Sequence, residues 1–185
     1  MKIETTSLKD CYILNDSIFG DPRGYFFESF NQKDFSNQTG LEINFVQDNQ
    51  SKSSKGVLRG LHFQIGDSEQ SKLVRVIQGS VLDVAVDLRK NSPTFGKHIT
   101  VELTESNHKQ LFIPRGFAHG FVVLSETAIF FYKCDNYYNP QRESGIIYND
   151  SVLNIDWRLL DTDLILSEKD RKLDTFEAYC KSQII

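Results

Sequence analysis

Val81-Leu82-Asp83-Val84-Ala85-Val86-Asp87-Leu88 (residues 81–88) is the most regular stretch of this 185-residue chain. Every second side chain, from Leu82 to Leu88, is aliphatic, and the intervening positions include the carboxylates of Asp83 and Asp87. Successive side chains of a β-strand point to opposite faces, so an alternation of period two predicts a strand here.

The same pattern extends along most of the chain. Residues 98–103 alternate as cleanly, and weaker strand patterns cover 25–30, 73–77, 110–113, 117–124 and 128–133. Glycine, proline, asparagine and aspartate form turn signals between them. Aromatic residues, which favour strands, make up 12% of the chain. Short strands at a spacing of about ten residues predict an antiparallel sandwich or barrel.

Helical signal is confined to two short segments, 32–37 and 167–180. In the second, Ser167 is a candidate N-cap and Asp170 follows three residues later, which is the spacing of a capping motif. We find no internal repeat or linker. The length predicts one domain over residues 1–185, with a β core at about 19–156 and an arm at each end.

Composition narrows the function classes. The chain has 21 Lys and Arg against 25 Asp and Glu, a net charge of -4, and no basic block, so we expect no nucleic-acid partner. A local cationic cluster can still bind a small anion. No apolar run approaches the roughly 20 residues of a membrane span, and residues 1–10 lack a signal-peptide core. The three cysteines form no CxxC motif, which favours reduced thiols and a cytoplasmic location.

Polar groups are concentrated between residues 47 and 72. Alternation over 59–64 would place Arg59 with Leu61 and Phe63 on one face, and Gly60 with His62 and Gln64 on the other. A lone histidine is usually a surface or satisfied core group. Polar side chains pointing into a small barrel, however, usually bind something, so this concentration favours a binding site.

Pro114-Arg115-Gly116 followed by His119 resembles the second signature of the cupin barrels, although a turn with a buried histidine would look the same. Metal-binding cupins also have a His-x-His pair and a glutamate. Here the pair reads His62-Phe63-Gln64, and no glutamate follows at the expected spacing. Transition metals need imidazole and carboxylate ligands at fixed spacing, so we expect no metal and no cofactor.

Aromatic side chains dominate the strand pattern at 128–133. Phe130 and Tyr132 share one face of it. They are either packing residues of the core or, for Tyr132, a general acid whose hydroxyl reaches a site. The pattern itself leaves both interpretations open.

Taken together, these motifs resemble the dTDP-4-dehydrorhamnose 3,5-epimerase family, a metal-independent branch of the cupins. The matching stretches occur in family order over nearly the whole chain, at 21–28, 45–49, 56–64, 70–74, 83–89, 92–96, 113–121, 132–133, 155–157 and 166–170. The resemblance implies a mainly β fold, a cupin-type double-stranded β-helix or jelly-roll barrel with short peripheral helices.

The resemblance implies an isomerase of dTDP-rhamnose and polysaccharide biosynthesis. Such an enzyme inverts C3 and C5 of dTDP-4-dehydro-6-deoxy-D-glucose to give dTDP-4-dehydro-L-rhamnose. By family position, His62 is the base, Asp170 its dyad partner, Tyr132 the acid, and Lys72 the group at the enolate oxygen. Asp83, which is inward on its strand, competes with Asp170 as the partner of His62.

Further positions match substrate contacts of the family: Arg23, Phe26, Glu28, Gln47, Asp48, Asn49, Arg59, His119, Tyr138, Glu143 and Lys169. Arg23 and Arg59 correspond to pyrophosphate-binding positions, and Tyr138 to the residue that stacks on thymine. The resemblance also implies a homodimer, in which the N-terminal segment with Arg23 and Glu28 reaches the partner's site.

Three alternatives remain open at the level of sequence. One is an epimerase that acts only on C3 or only on C5 of a related nucleotide sugar. Another is a metal-dependent cupin oxygenase that uses His62 and His119. The third is a sugar-nucleotide binding protein without catalysis.

Overall fold

The computed structural model describes residues 1–182, which form thirteen strands, two α-helices and four short 3-10 turns. The strands are β1 (Lys2–Thr5), β2 (Tyr12–Asn15), β3 (Phe19–Asp21), β4 (Gly24–Phe26), β5 (Gln47–Ser54), β6 (Leu58–Gln64), β7 (Lys72–Gln78), β8 (Ser80–Asp87), β9 (His98–Thr104), β10 (Gln110–Ile113), β11 (Phe117–Val123), β12 (Thr127–Cys134) and β13 (Glu143–Gly145). The helices are α1 (Gln32–Thr39) and α2 (Phe176–Ser182). The 3-10 turns are Gly66–Ser68, Pro140–Arg142, Asp161–Asp163 and Asp170–Lys172.

Two antiparallel sheets make up the barrel. One is six-stranded, in the order β1-β2-β10-β7-β12-β5, and the other five-stranded, in the order β13-β6-β11-β8-β9. Strands β3 and β4 form a separate hairpin. The prediction of a mainly β, cupin-type jelly-roll barrel with short peripheral helices is confirmed.

Strand β8 shows how the alternating pattern builds the core. Val81 and Ala85 enter a cluster to which both sheets contribute, and Leu82, Val84 and Val86 enter a second cluster on the outer face of the five-stranded sheet. The C-terminal arm covers that outer face with side chains such as those of its tryptophan and last helix. Burial of both faces explains why the predicted strand has few exposed positions.

The C-terminal prediction of one helix over 167–180 is wrong. The expected cap forms, with the Asp170 amide donating to Ser167 Oγ at 3.1 Å, but the helix stops after the 3-10 turn. Asp174 then lies extended, and its carbonyl accepts from the Ile147 amide at 2.8 Å. Helix α2 begins only at Phe176, whose amide donates to the carboxylate of Asp150.

Two N-terminal predictions have different outcomes. The helix predicted over 32–37 is α1, capped by the Asn31 side chain. The strand predicted over 25–30 is confined to β4, because the chain then leaves its hairpin. The carbonyl of Ser29 accepts from the buried Gln110 side chain at 2.6 Å instead of from a neighbouring strand.

Strand β6 departs from strict alternation at Gly60. His62 faces His119 on β11, but Arg59 faces Phe121, so β6 carries one extra residue there. This is a β-bulge, and it moves the residues before it to the opposite face. The predicted grouping of Arg59 with Leu61 is therefore wrong.

Glycine is required at the bulge by both conformation and space. Gly60 has a φ of 128°, and a Cβ there would lie 2.6 Å from the Cα of Gly120. Beyond the bulge, Leu61 and Phe63 enter the outer cluster as predicted.

The domain prediction is not tested by these elements. That residues 1–185 form one domain with two arms stays a prediction, and residues 183–185 lie outside the described part of the chain. Among residues 1–182, no helix combines the length and apolar character needed to cross a membrane.

Candidate functional site

A cavity of about 530 Å³ opens between the two sheets. Eleven of the predicted site residues line it: Gln47, Asn49, Arg59, His62, Lys72, His119, Tyr132, Tyr138, Glu143, Lys169 and Asp170. Strands β5, β7 and β12 supply one wall, and β6 and β11 supply the other. The fold thus brings together residues that lie far apart in the sequence.

His62 and Asp170 form a close pair on one wall. His62 Nε2 lies 2.6 Å from Asp170 Oδ1, and Ser167 Oγ donates to the other carboxylate oxygen at 2.7 Å. Burial alone would raise the pKa of Asp170, but the hydrogen bonds from His62 and Ser167 outweigh it and hold that pKa below its ordinary value. A charged carboxylate therefore stands behind the His62 ring.

His119 has a carboxylate partner of its own. It lies beside His62 on the neighbouring strand, and its Nε2 is 2.9 Å from Asp83 Oδ2. Both members of this pair are buried. Burial lowers the pKa of His119, and the Asp83 carboxylate restores only part of that shift. Of the two candidate partners of His62, the structure places Asp170 beside it and Asp83 beside His119.

Tyr132 and Lys72 lie together on the opposite wall. They come from the paired strands β12 and β7, and Lys72 Nζ is 5.8 Å from the centroid of the Tyr132 ring. Burial raises the pKa of Tyr132 and lowers the pKa of Lys72. The phenol therefore keeps its proton at neutral pH.

The mouth of the cavity is polar. The Glu143 carboxylate accepts from the hydroxyl of Tyr138 and from the ammonium group of Lys169. Burial acts to raise the pKa of Glu143, but these two donors lower it below its ordinary value. Arg59, an exposed residue of β6, donates to Ser53 Oγ at 3.2 Å and lines the cavity because of the bulge in that strand.

Four predicted site residues do not line the cavity. Arg23, Phe26 and Glu28 lie in or after the β3–β4 hairpin, where Phe26 is 70% exposed and Arg23 pairs with Asp21. Asp48 points away from Asn49 and Gln47, because side chains alternate along β5. Its carboxylate instead pairs with Lys133 at 3.0 Å.

Within residues 1–182, nine further residues line the cavity that were not among the predicted site residues: Gln50, Ser51, Phe63, Gln64, Gln70, Phe121, Phe130, Cys134 and Ser167. Phe121 and Phe130 stack at a centroid distance of 4.2 Å and give the cavity an apolar floor. A signal was available for Cys134, since it shares the face of Tyr132 two residues earlier. Burial raises the pKa of the Cys134 thiol to about 11.

Nothing in the described residues forms a metal-ligand set. No three His, Cys, Asp or Glu side chains of residues 1–182 are grouped so that they could hold an ion. Gln64, at the position of the second cupin histidine, has its oxygen occupied by the backbone amide of Asn139 at 3.0 Å. The expectation of a metal-independent and cofactor-independent site stays a prediction.

Comparison with known proteins gives a consistent result. The family model described as dTDP-4-dehydrorhamnose 3,5-epimerase matches residues 5–178. The Escherichia coli (strain K12) protein of that name is 51% identical over 185 residues, which is 100% of both chains.

Solved structures are similar over nearly the whole chain. The dTDP-4-dehydrorhamnose 3,5-epimerase of Elizabethkingia anophelis NUHP1 has a TM-score of 0.94 at 57% identity, covering 96% of this chain and 97% of that one. A dTDP-6-deoxy-D-glucose-3,5-epimerase of Legionella pneumophila Philadelphia 1, in complex with dTDP-4-keto-L-rhamnose, has a TM-score of 0.91 at 48% identity, covering 95% and 93%. From its matched length, identity and fold, this chain belongs to the dTDP-4-dehydrorhamnose 3,5-epimerase family.

Proposed function

We propose that this cavity inverts C3 and C5 of dTDP-4-dehydro-6-deoxy-D-glucose and releases dTDP-4-dehydro-L-rhamnose. Both carbons adjoin the C4 ketone, so loss of either proton gives an enolate. Inversion then requires a base on one face of the sugar and an acid on the other. The observation that carries the proposal is the His62–Asp170 pair on one wall, with Tyr132 on the opposite wall of the same cavity.

His62 is the proposed base. Histidine is the side chain whose ordinary pKa suits proton transfer near neutral pH. When His62 takes the substrate proton it becomes an imidazolium, and the Asp170 carboxylate 2.6 Å away stabilises that charge. Because the pKa of Asp170 is lowered, this carboxylate is ionised throughout the neutral range.

Tyr132 is the proposed acid. Its raised pKa keeps the phenol protonated, which an acid must be before it acts. It belongs to the sheet that faces the sheet of His62. A proton that leaves toward His62 and is replaced from Tyr132 therefore arrives on the other face of the carbon, which inverts the centre.

Lys72 and His119 are placed to support the enolate. Lys72, a cation beside Tyr132, would stabilise negative charge on the C4 oxygen. His119 borders the same space, and Asp83 fixes the orientation of its ring by accepting from Nε2. Neither residue needs to exchange a proton with carbon in this scheme.

The nucleotide end would occupy the mouth. Arg59 is suited to the pyrophosphate, because guanidinium groups bind phosphate oxygens in bidentate geometry. The half-exposed ring of Tyr138 would stack on the thymine. Gln47 and Asn49 supply amide groups from β5, and Lys169 and Glu143 lie at the rim of the cavity.

We further infer a homodimer in which Arg23, Phe26 and Glu28 act in the partner's cavity. The β3–β4 hairpin exposes Phe19, Tyr25 and Phe26, and an apolar patch of this kind is typical of an interface. Arg23, Phe26 and Glu28 do not line the cavity of their own chain. In a dimer, Arg23 would reach the substrate that is bound in the partner's cavity.

Mixing two inactive variants tests the dimer. His62→Ala and Arg23→Ala chains, unfolded and refolded together, would form hybrids with one intact cavity, which combines His62 of one chain with Arg23 of the other. Activity above that of either parent supports the proposal. A mixture no more active than its parents contradicts an arm that acts on the partner, and a monomer in analytical ultracentrifugation contradicts the dimer.

Proton exchange tests the reaction. The enzyme is incubated in deuterated water with dTDP-4-dehydro-6-deoxy-D-glucose, and the product is examined by NMR. We expect deuterium at both C3 and C5, with inverted configuration. Deuterium at one carbon only would assign the chain to the single-carbon epimerases, and nucleotide binding without exchange would make it a binding protein. Activity lost on chelation and restored by iron or zinc would contradict the metal-independent mechanism.

We propose a cytoplasmic enzyme that supplies an activated deoxysugar for polysaccharide synthesis. Cys11, Cys134 and Cys180 are all unpaired, as expected of a reducing compartment.

A further inference from the structure

We propose that Gln64 is a positioning residue, which holds the cavity-mouth segment Tyr138–Glu143 in its binding geometry. This inference rests on the proposed function only in taking the nucleotide as the ligand of that segment. Gln64 is 7% exposed, stands at the end of β6 and lines the cavity together with His62. It is not itself assigned to the chemistry.

Gln64 contacts both ends of the segment Tyr138–Glu143. Its side-chain Oε1 accepts from the Asn139 amide at 3.0 Å, at the beginning of the 3-10 turn Pro140–Arg142. Its backbone is paired with Glu143, at the end of that turn, in the β6–β13 ladder. One buried residue therefore sets the distance between the two ends.

Neighbouring bonds extend the same arrangement. The Ile65 amide donates to the Arg142 carbonyl at 2.9 Å, and Arg142 donates to the Asn139 carbonyl at 3.0 Å. On the preceding residue, the Tyr138 amide donates to Gln47 Oε1 at 3.1 Å. Two glutamine oxygens thus hold two successive backbone amides against the cavity wall.

The orientation of the Tyr138 ring depends on hydrogen bonds more than on packing. Tyr138 is 48% exposed, so few apolar contacts fix its direction. Its hydroxyl donates to Glu143, whose position depends on the turn, and its amide depends on Gln47. Removing the acceptor of Gln64 would leave the part-buried Asn139 amide unpaired and release the turn.

The decisive comparison is Gln64→Met against Gln64→Glu in the full-length enzyme. Methionine keeps the shape of the side chain and removes the hydrogen-bond acceptor, whereas glutamate keeps the acceptor. For Gln64→Met we expect KM for the dTDP-sugar and Kd for dTDP to rise about tenfold, with kcat within about twofold, because one hydrogen bond is lost. Gln64→Glu keeps the acceptor but adds a negative charge to a cavity that would bind a diphosphate, so its Asn139 amide should stay as protected as in the wild type whatever its KM. Gln141→Met, an exposed change in the same turn, should match wild type.

Hydrogen exchange separates this inference from the proposed function. The Asn139 amide of the wild-type enzyme should be protected in the absence of ligand, and Gln64→Met should accelerate its exchange at least tenfold. Fast exchange in the wild type would contradict the proposal even if Gln64→Met fails to fold. A fall in kcat with KM unchanged, or equal acceleration of Asn139 exchange in the methionine and glutamate variants, would also overturn it. Absence of epimerisation by the wild type would refute the reaction without affecting this result.

Discussion

Two histidine–aspartate pairs lie side by side in the cavity and differ in how they meet solvent. In the His62–Asp170 pair the side chains are 26% and 6% exposed, and in the His119–Asp83 pair they are 8% and 0% exposed. The distances are similar, at 2.6 Å and 2.9 Å. The accessible pair is the one that can take a proton from a ligand and return it to solvent.

The carboxylates also come from different kinds of structure. Asp83 lies inside strand β8, on the sheet that carries His119, so its place is set by the core. Asp170 lies in a 3-10 turn of the C-terminal arm and reaches His62 from outside the sheet. We infer that the first pair mainly contributes to stability and ring orientation, and the second mainly to proton transfer.

The largest expected effect is that of His62→Asn. Loss of the base should lower the rate of deuterium exchange about 10³- to 10⁴-fold, while Kd for dTDP, measured by calorimetry, stays within about twofold. His119→Asn is the matched control and should retain at least ten times more exchange activity. Equal losses in the two variants would remove the distinction between the pairs.

Asp170→Asn should have the next largest effect on activity. The amide cannot stabilise the imidazolium that forms on His62, so kcat/KM should fall about 10²-fold. Ser167→Ala, which removes only the hydrogen bond to Asp170, should cost less than about tenfold. If Asp170→Asn retains full activity in steady-state assays, Asp170 is not a dyad partner.

Asp83→Ala should reduce the stability of the protein more than its activity. Removing this fully buried acceptor leaves the ring N–H of His119 unpaired, and we expect a loss of about 2–4 kcal/mol in the free energy of unfolding. Urea denaturation measures it. Asp170→Asn keeps the shape of the side chain and an oxygen that can accept from Ser167, so it should lose less than about 1 kcal/mol in the same experiment. The reverse order would place the structural role with Asp170.

The smallest effect concerns pH. The pKa of His119 is lowered in the folded state, so below about pH 6.5 the unfolded chain binds a proton that the folded chain resists. The contribution of His119 to stability is therefore complete above that pH and declines as the pH falls toward the folded pKa. Its slope is at most about 1.4 kcal/mol per pH unit. His119→Asn should flatten the curve below about pH 6.5 in urea titrations, and an unchanged slope contradicts this.

Sequence patterns predicted much of the barrel. Strands β8 and β9 were evident because strict alternation has one simple structural cause, and α1 because its apolar and polar residues fit a short helix. The helix predicted over 167–180 failed because bridges to Ile146 and Ile147 extend the chain between two caps. Those contacts are tertiary, and no local preference records them.

The residue types of the site were likewise visible, but their pairing was not. Which aspartate serves which histidine depends on where the C-terminal arm crosses the sheet. The side of β6 on which Arg59 emerges depends on one bulge at Gly60. In the proposed dimer, the hairpin with Arg23 would meet a ligand only through a second chain.

The sequence by itself determined the alternation of Val81 to Leu88, and with it an antiparallel sandwich or barrel. Family resemblance added the identity of the groups that would act. Only the tertiary structure decided that Asp170 stands behind His62, and that Gln64 accepts from the backbone amide of Asn139. The physical reason is that alternation is a local property of the backbone, whereas a hydrogen bond between distant segments requires the whole chain to be packed.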